Sequence, residues 1–112
     1  MSQDILPGTL CAVRLDGLIF TPDGFSTIKG EKRKRARAFE TIDLFSFPSF
    51  NDFKGKNIVV REGDLVLVMK KIGRPQSIIK DPKWFQYDVY EVMIENSVVQ
   101  MFKQNLLPIK SG

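Results

Sequence analysis

The stretch "YDVYEVMIENSVVQMF", residues 87–102, reads as two short strands, "YDVYEVMI" and "SVVQMF", joined across Glu95-Asn96. Each half is rich in β-branched and aromatic residues, and a two-residue polar break between such runs is the signature of a β-hairpin. The stretch before it, "IVVREGDLVLVMKK" (58–71), has the same grammar, with two apolar bursts split by the turn tripeptide Glu62-Gly63-Asp64. Between them "IGRPQSIIKDPKW" (72–84) holds Gly73, Pro75 and Pro82 and is predicted to be a long loop rather than a helix.

Working outward toward the N-terminus, "PGTLCAVRLDGLIF" (7–20) opens with a Pro-Gly turn and then alternates. Thr9, Cys11, Val13 and Leu15 fall on one side, with Leu10, Ala12 and Arg14 on the other. "LIFTPDGFSTI" (18–28) is expected to be a hairpin around Pro22-Asp23-Gly24, with Phe20 and Phe25 near its tip. The segment from Gly30 to Ala38 has helix-favouring Lys, Arg and Ala but no apolar stripe, so an exposed, poorly ordered loop is expected there. "TIDLFSF" (41–47) alternates again and suggests a short strand that Pro48 stops or confines to an edge. These signals together predict one all-β domain over residues 1–112.

From Val60 onward the order of signals resembles the SH3-like barrel. "REGDLVLVM" (61–69) is similar to the diverging turn and following strand of that fold, and "KWFQYDVYEVMI" (83–94) to the next strand. "EN" (95–96) falls at the distal hairpin, and "MFKQNLLPI" (101–109) resembles the last strand, the short 3₁₀ turn and the closing strand. The resemblance implies a small barrel whose first strand is Thr9 to Leu15, with residues 16–59 an enlarged loop or hairpin insert between the first two strands, packed on the barrel. It also implies a groove for proline-rich peptides, and here the chain departs from the pattern. Trp84 and Asn105 stand where the groove tryptophan and the 3₁₀ asparagine belong, but Lys103 and Leu106 replace the proline and tyrosine, and a basic run replaces the acidic loop. Polyproline recognition is therefore disfavoured. The chain is also similar to small orphan proteins of tailed bacteriophages, a likeness that no single motif carries.

The composition excludes several chemistries. The chain has no histidine, which removes the commonest general base and metal ligand, and its one cysteine rules out zinc sites built from Cys and His. Glycine-rich phosphate loops are absent. No enzyme, cofactor or metal is expected. Cys11, in an apolar alternating stretch, reads as a buried and inert thiol. No apolar run approaches the roughly 20 residues of a membrane span, and the start "MSQDILPGTL" lacks signal-peptide character, so a cytoplasmic protein is expected, or a virion protein if phage-encoded.

What remains is binding. The formal charge of +4 is concentrated in Lys32, Arg33, Lys34, Arg35 and Arg37, without which the chain is close to neutral. These are candidates for contact with phosphates of a nucleic acid. Beyond them lie Phe39, Phe45, Phe47, Phe50 and Phe53, which are expected to cover the barrel as a lid; the competing readings are a stacking platform for bases and a protein-binding patch. Trp84 and Phe85, with Phe47 and Phe50, are the candidate contacts for a protein partner or a second copy of the chain. The two functions left open are a binding or assembly module and a nucleic-acid-binding accessory.

Overall fold

The computed structural model describes residues 4–15, 35–45, 53–76 and 86–109. They form strands β1 (Leu10–Val13), β2 (Arg35–Ile42), β3 (Phe53–Arg61), β4 (Leu65–Gly73), β5 (Val89–Ile94), β6 (Ser97–Phe102) and β7 (Leu106–Pro108), with a 3₁₀ turn at Lys103–Asn105 between β6 and β7. All pairings are antiparallel, in the order β3-β2-β6-β5-β4-β1-β7. The sheet curls into a half-barrel. The chain is all-β, as the alternating runs predict.

The β5–β6 hairpin forms in the expected register, from Val89↔Phe102 to Ile94↔Ser97, and Glu95 takes a positive φ of 54° to close it. The bursts flanking Glu62-Gly63-Asp64 do not pair with each other. β3 departs to one end of the sheet and β4 to its middle. The turn instead binds β1: the N–H of Val13 donates to Asp64 O and the N–H of Gly63 to Val13 O, both at 2.8 Å. Gly63 sits at φ 92°, a left-handed conformation that a residue with a Cβ adopts only with strain.

Alternation decides which side chains fill the concave face. Cys11 and Val13, Ala36 and Ala38, Val66 and Val68, Tyr90 and Val92, and Val99 and Met101 form one buried cluster with Leu15, Val60 and Leu106. Tyr90 is fully buried, and its hydroxyl accepts a hydrogen bond from the N–H of Ile5 at 3.1 Å, which holds the segment before β1 against the core. Val89 and Phe102 each follow or precede a residue of opposite orientation, so they lie on the convex face. There they join Ile42, Tyr87, Leu44, Phe53 and Ile72 in a second, smaller core. Phe53 links Phe39 and Phe102, with ring centroids 5.6 and 6.4 Å away.

Three expectations change. The strand expected over 41–47 does not form as such, because β2 ends at Ile42 and a turn follows at Leu44 and Phe45, where Asp43 Oδ1 accepts from the N–H of Phe45. The loop expected through Ala38 is, from Arg35 on, strand β2. Arg-Ala-Arg-Ala is itself an alternation, and the two alanines are small enough to let β2 settle onto the core. The phenylalanine lid is partial: Phe39 is buried and Phe53 half-buried, whereas Phe45 is 81% exposed. The hairpin expected around Pro22-Asp23-Gly24 lies outside the described residues. Phe39→Ala is expected to cost about 3–5 kcal/mol through lost burial and the cavity left behind. Phe45→Ala should stay within about 0.5 kcal/mol. Urea denaturation of the two variants checks both.

Candidate interaction surface

Strand β4 is apolar on both faces. Val66 and Val68 enter the core, which leaves Leu65, Leu67 and Met69 pointing outward, 56%, 40% and 36% exposed. Register extends this outward set across the sheet. Leu10 pairs with Leu67, Leu67 with Met93 and Met93 with Val98, so one row of exposed apolar side chains crosses β1, β4, β5 and β6. Leu107, exposed on β7, pairs with Ala12, and Ile109 reaches the row through a backbone hydrogen bond to Leu10 O. The row has a polar border on one side, where Lys70 pairs with Glu91 and Glu91 with Gln100. Beyond that border lies the small aromatic core.

The edges of the sheet are unsuited to adding a strand. β7 has only three residues and ends in Pro108. β3 carries Lys54 and Lys56, and a register irregularity between Phe39 and Thr41 disrupts its pairing with β2. Charges, proline, shortness and bulges are the usual protections of sheet edges.

The basic candidates divide. Lys32, Arg33 and Lys34 lie outside the described residues, as do Phe47, Phe50, Trp84 and Phe85. Arg35 and Arg37 alternate with the buried alanines of β2 and face away from the core. Arg35 pairs with Arg61 across β2–β3, and Arg37 donates through Nη1 to Asn57 Oδ1 at 3.1 Å.

A charged cluster that sequence reading missed lies at the base of β5. The carboxylate of Asp88 is almost fully buried and accepts from Arg74 Nε at 2.6 Å, with Lys71 Nζ 3.5 Å away. Lys71 also donates to Asp4 at 2.9 Å. That hydrogen bond holds the Asp4 carboxyl below its ordinary range. Burial lowers the Lys103 ammonium and raises the Cys11 thiol and the phenols of Tyr87 and Tyr90. The only sequence hint was a charged residue inside "YDVY". Its partners come from a loop and the far end of β4, and no local pattern announces them.

Asn105 is buried in the 3₁₀ turn, where Nδ2 donates to Arg14 O at 3.0 Å. The N–H of Lys103 donates to Asp88 O at 2.7 Å, a bond that a proline at this position cannot make. A cleft of about 400 Å³ beside this turn includes Asp4, Leu6, Arg14, Gln86, Lys103 and Pro108 in its wall, with no aromatic ring among its described lining residues. Proline-rich ligands need such rings. Among the described residues no group of three or more His, Cys, Asp or Glu is placed to hold a metal ion, and no helix is long and apolar enough to cross a membrane. Comparison with protein-family models, curated proteins and solved structures found no match.

Arg74→Met leaves the Asp88 carboxylate buried beside Lys71 alone and should cost about 3 kcal/mol in urea denaturation. The Asp4 contact predicts a pH dependence. Its folded pKa lies below the unfolded value of about 4, so its contribution is complete above that pH and is lost as pH falls through the folded value. The difference in urea midpoint between the natural chain and Asp4→Asn should therefore be present at neutral pH and vanish in acid.

Proposed function

We propose that this chain is a non-enzymatic binding and assembly module on an SH3-like scaffold, acting through protein contact in the cytoplasm. The scaffold reading draws support from element order. β4, β5, β6, the 3₁₀ turn and β7 fall on the segments that carry the resemblance, and β1 lies beside β4 and β7. The observation that carries the functional reading is the exposed row Leu10, Leu67, Met93 and Val98. Scattered exposed apolar residues are ordinary, but a continuous row across four strands is the kind of patch that marks an interaction site.

A second reading, a nucleic-acid-binding accessory, is favoured by one observation. Arg35 and Arg61 stand directly opposite each other on β2 and β3, with Arg37 on the same strand and Lys32, Arg33 and Lys34 preceding them in sequence, a local concentration of positive charge. Five phosphate contacts predict a log–log salt slope of roughly −4 on duplex DNA.

Retention of partners from cell extract on the immobilised chain, with and without nuclease, separates the readings when repeated with Leu67→Glu. The first predicts that the same proteins are captured whether or not nuclease is added, and that Leu67→Glu loses them. Capture that nuclease abolishes and Leu67→Glu leaves intact would overturn it in favour of the second.

A further inference from the structure

We propose that the occupant of the convex apolar face is a second copy of this chain, packed sheet against sheet about a two-fold axis that runs along the strands between β4 and β5. The inference rests on the protein-contact reading above and specifies its partner.

The argument begins with area. Eight outward apolar side chains (Leu10, Leu65, Leu67, Met69, Met93, Val98, Leu107 and Ile109) are each exposed by 36% or more. Together they present on the order of 500 Å², toward the upper end of what a monomer usually leaves in one patch. With the polar border the face approaches the roughly 800 Å² that each partner contributes to a standard interface. An apolar centre with a polar rim is also the usual anatomy of such contacts.

Symmetry supplies the second step. In a two-fold face-to-face dimer whose strands stay aligned, the axis lies in the interface and runs either along the strands or across them. An axis along the strands, between β4 and β5, keeps each row opposite itself and exchanges β4 with β5 and β1 with β6. Leu67 then meets Met93 of the other copy, and Leu10 meets Val98. One row away, Lys70 meets Glu91, twice by symmetry. An axis across the strands through the same row would instead lay the Leu65 side of β4 over the Lys70 side and bury an ammonium against leucine. The face is thus complementary to itself in polarity and charge for one orientation. Two copies share the same twist, which suits them to the aligned packing of β-sandwiches. Edge-to-edge pairing is blocked by Pro108 and by the lysines of β3, which leaves the face as the route to association.

The test uses purified protein and charge exchange. Sedimentation velocity across about 5–200 µM should show the natural chain passing from monomer to dimer, an affinity range ordinary for an interface of this size. Leu67→Glu should remain monomeric. Lys70→Glu places two carboxylates beside the axis in each copy, and Glu91→Lys places two ammonium groups there. Each variant alone should dimerise more weakly than the natural chain, and the two mixed should form a heterodimer at least about tenfold tighter than either homodimer, because repulsive pairs become attractive ones. Lys70 is exposed and Glu91 half-buried, and circular dichroism should confirm that both variants fold.

Repulsion confined within one chain cannot produce the heterodimer. A natural chain that stays monomeric throughout would overturn the second-copy proposal while leaving the protein-contact reading to the extract experiment. A natural dimer without preferential pairing of the two variants would overturn the proposed axis, and the proposal with it.

Discussion

The turn at Glu62-Gly63-Asp64 is the joint on which the sheet depends. Its backbone holds both hydrogen-bonding groups of Val13, Asp64 Oδ2 accepts from the N–H of Arg61 at 2.8 Å, and Glu62 Oε1 lies 3.4 Å from the N–H of Leu15. The end of β1 is thereby fixed between the two arms of the turn. On its other side Arg14 exchanges hydrogen bonds with Asn105, through the backbone N–H of Arg14 and the side chain of Asn105. With β1 pinned from both sides, β3 and β4 cannot close on each other as a hairpin. They diverge, and the strands between them in the sheet order are supplied by β2, β6 and β5.

That divergence gives the sheet its two unlike faces. The concave face receives one residue of every alternating pair and forms the main core. Among the described residues the convex face is covered at one end, where Phe39 and Phe53 bring rings from the β2–β3 hairpin toward Phe102. The rest of the face, the row through Leu67 and Met93, is left to water or to a partner. Burial of apolar area is worth roughly 25 cal/mol per Å² on folding, but association offsets much of that gain through the freedom that two molecules lose.

The polar features divide by role. Asp88, Arg74, Lys71 and Asp4 connect the base of β5 to the end of β4 and to the segment before β1. A buried carboxylate with a short guanidinium contact contributes more to fixing one arrangement than to net stability, since desolvation offsets much of the attraction. Arg35, Arg37 and Arg61 lie instead on the outside of the β2–β3 hairpin, with Arg37 donating to Asn57 Oδ1.

Much of this was legible in the chain itself. Alternation and turn chemistry determined the all-β class, the β5–β6 hairpin with its Glu95-Asn96 turn, the inward set of β1 and the burial of Cys11, because a strand's two-residue period and a turn's dihedral demands are local properties. Local signals misled at Arg35–Ala38, where alanine counts as a helix former and only the core beneath it makes Ala36 and Ala38 the inward members of a strand. Phe45 and Phe39 are the same residue type in one run, yet one is exposed and the other buried, since the outcome depends on which rings the distant Phe53 and Phe102 bring near. The partners of Asp88, the opposition of Arg35 to Arg61 and the row of Leu10, Leu67, Met93 and Val98 all join residues far apart in sequence. Strand order and register decide such encounters, and they are set by closure of the whole sheet.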